Sequence, residues 1–399
     1  MSFALTNCNI VDVDNNQVQD NHKILIQNEL ITEVTSDNVP GSTVENTIDM
    51  QGFYILPGLF NVHNNLSNVF PFKDTDTNES PAETVLRCHM AASKALEAGV
   101  TTLRTMGEMN RADIFLKKMI NRGSIPGPRI LAAGKGLGVT GGHGSGFGQV
   151  EVDGAEEFRK AARRELSYGA DHLKIFITGG IANKEETFEE PQMTIEEMQA
   201  VVSAAKAKGT YVAAHAGSSK PIIEAVKAGV HSIEHGYILN EEAINAMKLN
   251  SCFLVPTLSV TRSPIWMKEH HFEPWTIEKS LSAGRKHLES AKAAIKAGVP
   301  IACGTDLPPG DLNDGTVTTV KEIEFLTEAG LSNIEAIRAA TCNAAKLCRI
   351  ANYAGQIRPG YVADLIAVPE NPISDIKSLE RISFVMKGGK RIRDDLRVN

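Results

Sequence analysis

Five side chains that can bind a metal or carry a proton each end a short strand-like segment. They are His63, Lys174, His215, His235 and Asp306, in the segments LPGLFNVHNNL, HLKIFITGG, YVAAHAG, HSIEHG and IACGTD. Imidazole nitrogens and carboxylate oxygens are common ligands of zinc and related divalent ions. A closed parallel barrel would deliver side chains in this order to one rim. The spacing therefore predicts a metal-dependent catalytic centre.

Asn65 occupies the position where a second histidine would form a metal-binding pair with His63. Residues two apart on a strand share a face, so both side chains are predicted to point inward. A neutral amide oxygen is a weaker zinc ligand than an imidazole nitrogen. Two interpretations follow: Asn65 binds an ion through its amide oxygen, or one of the metal positions is weak or empty.

Lys174 is the least usual member of the set, because divalent ions would repel a protonated ammonium group. Reaction of the neutral amine with carbon dioxide gives a carbamate, which is anionic and can bridge two ions. The next two strands supply His215 and His235 as neutral imidazoles. A divalent ion lowers the pKa of a bound water to about 7. Asp306 is placed to take that proton and pass it to a leaving amine.

The elements that must position these residues are short apolar strands alternating with amphipathic helices. Eight candidate strands can be counted, and several helices end in Ala-Gly or Lys-Gly before a β-branched residue. This order is typical of β/α units on a parallel sheet. The pattern predicts an α/β protein in which residues 58–356 form a TIM (β/α)8 barrel, with its active site at the carboxyl ends of the strands.

The two ends of the chain have a different residue pattern. Residues 1–57 and 357–399 contain short β-rich runs separated by turn residues. Chain termini often lie close together in space. We therefore predict that both terminal segments complete one small, discontinuous sheet domain.

The bulk composition excludes several classes of function. The chain has 399 residues, a net charge of −7 and no basic run, which argues against nucleic-acid binding. No stretch approaches the roughly 20 apolar residues that span a bilayer, and the first residues do not form a signal peptide. Six scattered cysteines predict buried, reduced thiols and no cysteine metal site. We expect a cytoplasmic protein that acts on a small molecule, with no membrane partner.

The chain resembles the amidohydrolase superfamily of metal-dependent hydrolases. The motifs that carry the resemblance include PGLFNVH, GVTTLRTMG, TGGHG, KIFITGG, VAAHAG, SIEHG, GTD, AIRAATCNAAKL and GQIRPGYVADLIAV. They run from residue 52 almost to the carboxyl terminus. Within this superfamily, the chain is similar to the subgroup that contains prolidase-like dipeptidases, arginine and lysine carboxypeptidases and imidazolonepropionase-like enzymes.

The resemblance implies a β-sandwich plus a TIM barrel, and a divalent-metal site bridged by a carboxylated lysine. Zinc is the expected metal, as one or two ions, and a homo-oligomer is the expected assembly. The implied metal ligands are His63, Asn65, Lys174, His215, His235 and Asp306. By the same resemblance, Asp306 and His143 are the predicted catalytic residues, and His143 and Tyr237 are predicted to contact substrate.

Several positions depart from the pattern of the superfamily. The first strand carries Asn61, His63 and Asn65 where D-x-H-x-H is usual, and Gly217 replaces the second histidine of H-A-H. These changes indicate a substrate other than the usual dipeptide. We also interpret Arg104 and Glu108 as charges in the pocket, and the segment that contains both tryptophans as a lid or a packing loop.

Our main hypothesis is a metal-dependent amidohydrolase that cleaves an amide-type C–N bond of a dipeptide or an N-acyl amino acid through metal-bound hydroxide. Two alternatives stay open. The first is a cyclic amide, urea or carbamate hydrolase with a thinned metal site. The second is a non-catalytic homologue that has lost its metal and persists as a binding protein. Metal content separates the second alternative from the enzymes.

Overall fold

The computed structural model describes residues 2–37, 44 and 46–396. Up to residue 57, the described residues form five strands. These strands are β1 (Ser2–Asp12), β2 (Gln17–Gln27), β3 (Leu30–Ser36), β4 (Thr47–Asp49) and β5 (Tyr54–Pro57). Asn16 and Asn28 adopt left-handed backbone conformations in the turns between them, which asparagine tolerates better than most residues.

The central part of the chain forms two parallel sheets. Its strands are β6 (Leu59–Asn64), β7 (Val100–Thr105), β8 (Arg129–Leu131), β9 (Leu137–Gly138), β10 (Val150–Glu151), β11 (Leu173–Phe176), β12 (Val212–Ser218), β13 (Ser232–Ile238) and β14 (Phe253–Val255). One sheet has the order β6-β7-β8, and the other has the order β10-β9-β11-β12-β13-β14. All pairings in both sheets are parallel. The α/β class with parallel sheets is therefore confirmed.

Two chain segments connect these sheets. The segment of residues 129–138 begins with β8 in one sheet and ends with β9 in the other. On the opposite side, the Val62 amide donates to the Cys303 carbonyl oxygen at 2.9 Å, and the Ala302 amide donates to the Leu254 carbonyl oxygen at 3.1 Å. The segment around residue 302 therefore lies between β14 and β6.

Helices follow most of the parallel strands. They are α1 (Pro81–Glu97), α2 (Ala112–Asn121), α3 (Ala155–Tyr168), α4 (Ile195–Ala207), α5 (Ser219–Ala228), α6 (Glu241–Leu249), α7 (Ser259–Arg262), α8 (Pro264–Glu269), α9 (Pro274–Ala297), α10 (Thr318–Glu328), α11 (Asn333–Ala339) and α12 (Cys342–Leu347). Capping boxes, such as that of Ser80 and Glu83, fix the first turns of three of them. Among the described residues, no helix is both long and apolar enough to cross a membrane.

The carboxyl-terminal strands return to the sheet that the chain began. A short hairpin, β15 (Leu312–Asn313) and β16 (Thr316–Val317), precedes α10, and the last strands are β17 (Leu365–Val368), β18 (Phe384–Lys387) and β19 (Lys390–Asp394). β17 pairs with β5, giving a mixed sheet of order β19-β18-β17-β5-β1-β2-β3, with β4 against β1. Both ends of the chain thus contribute to one sheet. The sandwich and the domain boundaries at 57/58 and 356/357 stay predictions.

One face of the mixed sheet packs into the large core of the parallel strands and helices, and its other face packs into a smaller core. Leu103, Ile175 and Ile233 belong to a large core between the parallel strands and the helices, with their side chains removed from solvent. Leu5 and Phe384, from opposite ends of the chain, share the core of the mixed sheet. All six cysteines are buried and free, as the sequence predicted for reduced thiols.

Candidate metal and active site

A cleft of about 650 Å³ opens at the carboxyl ends of the parallel strands. All six predicted metal ligands and His143 line it: His63, Asn65, Lys174, His215, His235 and Asp306. The strands β6, β11, β12 and β13 are almost entirely buried, and they carry four of these residues. Asn65 lies just beyond β6, and Asp306 lies outside the strands.

Three of these residues form a compact group of potential ligands. One ligand atom each from His63, His235 and Asp306 lies within 4.8 Å of the others. His63 Nε2 is 3.3 Å from Asp306 Oδ1. Two imidazole nitrogens and a carboxylate oxygen at this spacing are suitable first ligands for zinc.

A buried ion pair fixes the orientation of His63. Its Nδ1 lies 2.8 Å from Glu234 Oε2, and the Arg104 guanidinium donates to both oxygens of Glu234 at 2.9 and 3.0 Å. Burial alone would raise the pKa of the Glu234 carboxyl, but Arg104 and His63 hold it well below its ordinary value. Glu234 is therefore an anion that holds His63 Nδ1, which leaves Nε2 free to face Asp306.

Left-handed backbone turns bring His235 and Asp306 into the group. His235 has φ 71° and Asp306 has φ 54°, conformations that non-glycine residues rarely adopt. His235 Nδ1 lies 2.7 Å from Thr257 Oγ1, which leaves its Nε2 for another partner. Burial lowers the pKa of His235 well below its ordinary value, so the imidazole is neutral, as metal binding requires.

Lys174 and His215 lie on the other side of the cleft. Burial lowers the pKa of the Lys174 ammonium to about 8. Within the described part of the chain, its Nζ has no hydrogen-bond partner, although it lies 5.1 Å from the centre of the Phe176 ring. His215 Nε2 is 3.2 Å from the Gly179 carbonyl oxygen, and His215 lies outside the group of ligand atoms within 4.8 Å.

Asn65 contacts Asp306. Its amide nitrogen donates to Asp306 Oδ1 at 2.8 Å, from the same face of the strand as His63. This hydrogen bond orients the Asp306 carboxylate, and it turns the amide nitrogen of Asn65 toward the group of potential ligands.

His143 and Tyr237 approach the site from its rim. His143 Nδ1 lies 2.6 Å from Glu186 Oε2, which also accepts the Gly180 amide at 2.9 Å. The His143 ring stacks on His215 with 4.1 Å between ring centres. The Tyr237 ring lies parallel to His235, with 5.2 Å between centres, and burial raises the pKa of its phenol well above the ordinary value. Tyr237 is therefore a neutral hydroxyl at any working pH.

The structure also locates Arg104, Glu108, Trp266 and Gly217, which the sequence analysis had singled out. Arg104 is fully buried against Glu234 and does not line the cleft, whereas Glu108 does. Trp266 is also fully buried, so this part of the tryptophan segment packs against the protein. Beside Gly217, where relatives carry a histidine, a Cβ would lie 2.8 Å from the Phe188 side chain, so a larger residue would require Phe188 to move.

Sequence reasoning missed three residues that hold the site: Glu234, Glu186 and Thr257. An acid inside the buried segment SIEHG was a usable signal, because a buried carboxylate needs a partner. Glu186 and Thr257 lie outside the strands, where residue spacing gives no comparable signal.

Comparisons with known proteins agree with this arrangement. The profile described as the Amidohydrolase family matches residues 54–392. Ochratoxinase from Aspergillus niger is 30% identical to this chain, over 93% of this chain and 82% of its own length. The crystal structure of a Xaa-Pro dipeptidase with bound methionine in the active site superimposes with a TM-score of 0.90 at 33% identity, covering 98% of this chain and all of that one.

A prolidase in complex with N-methylphosphonate-L-proline gives the same TM-score, 0.90, at 29% identity, and covers 99% of this chain and 100% of its own. The matched profile spans most of the chain, and the similarity extends through both the mixed sheet and the parallel sheets. On these findings, together with the strand-end residues gathered around the cleft, the chain belongs to the amidohydrolase family.

Proposed function

We propose that this chain is a metal-dependent hydrolase that cleaves an amide-type C–N bond in a dipeptide or an N-acyl amino acid. The observation that carries the proposal is the group of His63, His235 and Asp306, with ligand atoms within 4.8 Å of one another. The family and its ochratoxinase and prolidase neighbours support the type of reaction.

The donor set fits a zinc ion. His63 and His235 each use Nδ1 to contact a protein oxygen, so each has Nε2 left for a metal. Lys174 is buried without a hydrogen-bond partner among the described residues, which suits an amine that becomes a carbamate. Carboxylated Lys174 and His215 would hold a second ion. A bound divalent ion would polarise the scissile carbonyl and lower the pKa of a water.

The protein's own groups then have distinct roles. Asp306 accepts a proton from the attacking water and delivers it to the leaving amine, and Asn65 orients its carboxylate at 2.8 Å. His143, held through Nδ1 by Glu186, presents its other nitrogen to the carbonyl oxygen or the carboxylate of the substrate. Tyr237 contributes a neutral hydroxyl to the same region.

The contact between Asn65 and Asp306 favours a second candidate function. If Asn65 serves Asp306 and is not a ligand, the site holds fewer metal donors than a site with two histidines on this strand. A single ion would suit more activated substrates, such as a cyclic amide, a urea or a carbamate. The number of metal ions bound per chain separates this candidate from the first.

That measurement is metal content per chain, on protein produced with added zinc or manganese and with bicarbonate present. Two ions, with hydrolysis of dipeptides or N-acyl amino acids that a chelator abolishes, would support the first proposal. A single ion, with chelator-sensitive hydrolysis of lactams or phenyl carbamates, would favour the second candidate. His235→Ala should lose both metal and activity, whereas His22→Ala, on the distant strand β2, should lose neither. A wild-type protein without metal would contradict the proposal and favour a binding role.

We also propose the finer architecture. The connections through residues 129–138 and through the segment around residue 302 support one closed barrel of eight strands. The mixed sheet, with its own apolar core, supports a discontinuous domain of residues 1–57 and 357–399 beside a barrel of residues 58–356. Limited proteolysis that releases a stable barrel fragment would test this division.

A further inference from the structure

A second pocket of about 430 Å³ adjoins the metal cleft. Both cavities share Phe72, Ala182, His143, His215 and Asp306 on their walls. Apolar side chains provide most of the surface of the second pocket: Phe70, Phe72, Ile181, Val260, Met267 and Phe272. We call this cavity the aromatic pocket. Its position beside the metal cleft makes it a continuation of the reaction site.

The walls of the aromatic pocket are already packed into place. The Phe70 ring centre lies 5.1 Å from that of Phe72, 5.2 Å from that of Trp266 and 5.6 Å from that of Phe272. These distances are typical of stable aromatic pairs. Trp266 is fully buried behind the rings, and Phe272 is 7% exposed. A ligand that enters would therefore meet ordered rings.

The aromatic pocket lacks a partner for a charged group. None of the described residues that line it is a lysine or an arginine. Its only carboxylate is Asp306, which belongs to the metal site, and the remaining polar groups are His143, His215, Thr276 and Tyr237. A carboxylate that entered would lose its hydration without gaining an ion pair, and an ammonium could pair only with Asp306, which the proposed metal would engage.

We infer that the aromatic pocket is the specificity subsite of this hydrolase and that it holds an uncharged aromatic side chain of the substrate. The part of the inference that concerns hydrolysis rests on the proposed function, whereas the part that concerns binding does not. A phenyl-sized group in this position would stack on the rings while the adjoining amide lies beside Asp306 and His143. The substrate class is then an N-acyl or peptidyl amide that carries an aromatic residue at the scissile bond.

Binding of four small amides to the zinc-loaded protein tests the inference by calorimetry. They are the N-acetyl amides of phenylalanine, alanine, lysine and aspartate, which differ only in the side chain. We expect the phenylalanine compound to bind about tenfold more tightly than the alanine compound, and the charged compounds to bind no better than alanine. Equal affinity for phenylalanine and alanine, or a preference for a charged compound, would overturn the inference.

Variants within the aromatic pocket give a second test. Phe72→Ala should reduce the preference for phenylalanine over alanine to about one-fifth of its wild-type value or less, because one wall of the pocket is removed. Val260→Phe should fill the pocket and reduce binding of phenylalanine while it leaves binding of alanine unchanged. Phe115→Ala is the matched control, because Phe115 lies on α2 and is 50% exposed. Thermal unfolding checks that each variant is folded.

Turnover separates the failure of the inference from the failure of the proposed function. Preferential binding of the phenylalanine compound, without hydrolysis of any amide, would keep the inference and contradict the hydrolase. Hydrolysis that favours lysine or aspartate substrates would keep the hydrolase and contradict the inference. Similar losses for Phe72→Ala and Phe115→Ala would show that the effect does not come from the aromatic pocket.

Discussion

The two sides of the metal cleft are prepared to different degrees. On one side, His63 and His235 are each held through Nδ1 by a protein oxygen at 2.8 and 2.7 Å, and Asp306 is held by Asn65. We call these three ligands the histidine–aspartate side. On the other side, which we call the lysine side, Lys174 has no hydrogen-bond partner among the described residues and His215 contacts a backbone carbonyl oxygen.

This difference indicates two routes to a metal site. The histidine–aspartate side has its ligands oriented by neighbouring groups, and it needs only an ion. The lysine side needs a chemical change first, because an ammonium group must become a carbamate before it can bind a cation. Under the proposed function, one ion position would be fixed by folding, and the other would depend on carbon dioxide.

The largest effect should come from the histidine–aspartate side. We expect Asp306→Asn to lower kcat/KM by about 10³-fold or more, because the amide cannot accept and return a proton. Asparagine tolerates the left-handed backbone at this position, so the fold should be unchanged. Asp314→Asn is the matched control, since Asp314 is exposed and has φ 52°. Equal activity of the two variants would remove Asp306 from the mechanism.

The lysine side should show the next largest effect. Lys174→Met cannot form a carbamate, and we expect it to lose one metal ion and about 10²-fold in kcat/KM. Metal analysis together with steady-state kinetics tests this, with the exposed Lys227→Met as a control. A variant that keeps the full metal content would show that the two sides do not differ in the way proposed.

The contact of Glu234 with His63 should have an intermediate effect on stability and metal affinity. Glu234→Gln removes the charge that neutralises the buried Arg104, so we expect a loss of about 3 kcal/mol in the free energy of unfolding. Zinc affinity should fall by about 10- to 100-fold, because His63 loses its orienting partner. Denaturant unfolding and metal titration measure the two effects. Glu156→Gln, with a side chain that is 85% exposed, should change neither.

Activation of the lysine side should depend on pH. With a pKa of about 8, Lys174 is about one-tenth neutral at pH 7 and about nine-tenths neutral at pH 9. At a fixed concentration of dissolved carbon dioxide, activation of metal-free protein should therefore be about tenfold faster at pH 9. The rise follows from loss of the ammonium proton, so it should be absent in Lys174→Met. A rate that is constant or falls with pH would contradict carboxylation.

The smallest effect should come from Asn65. If this residue only orients Asp306, Asn65→Ala should keep its metal and lose about two- to tenfold in kcat/KM, which corresponds to ~0.5–1.5 kcal/mol for one hydrogen bond. Loss of an ion from Asn65→Ala would show that its amide oxygen is a ligand. That result would also remove the main argument for the single-ion alternative.

The site residues on regular strands were predictable because strand geometry is periodic. His63 and Asn65 share a face, as residues two apart must, and the order of the strand ends gave the remaining members of the cleft. Glu234 was missed because simple alternation would turn it away from the cleft that His235 faces. The left-handed backbone at His235 interrupts that alternation, and Glu234 Oε2 lies 2.8 Å from His63 Nδ1.

The loops gave less information. Glu186 lies outside the strands and helices and holds His143 through a contact that no residue spacing could indicate. The aromatic pocket likewise brings Phe70, Phe272 and Val260 together from segments far apart in the sequence. Such contacts depend on how loops fold over the strand ends, which is a tertiary property. The α/β class followed from the alternation of strands and helices alone.

The pairing of β5 with β17 has a consequence for how the chain must fold. Leu56 and Ile366 are partners in that ladder, although nearly the whole parallel-sheet region separates them in sequence. During synthesis, the apolar face of β1 to β5 stays exposed until the last strands have been made. The early strands are therefore the part of a nascent chain that most needs protection from aggregation, and folding of the mixed sheet should be the slow step.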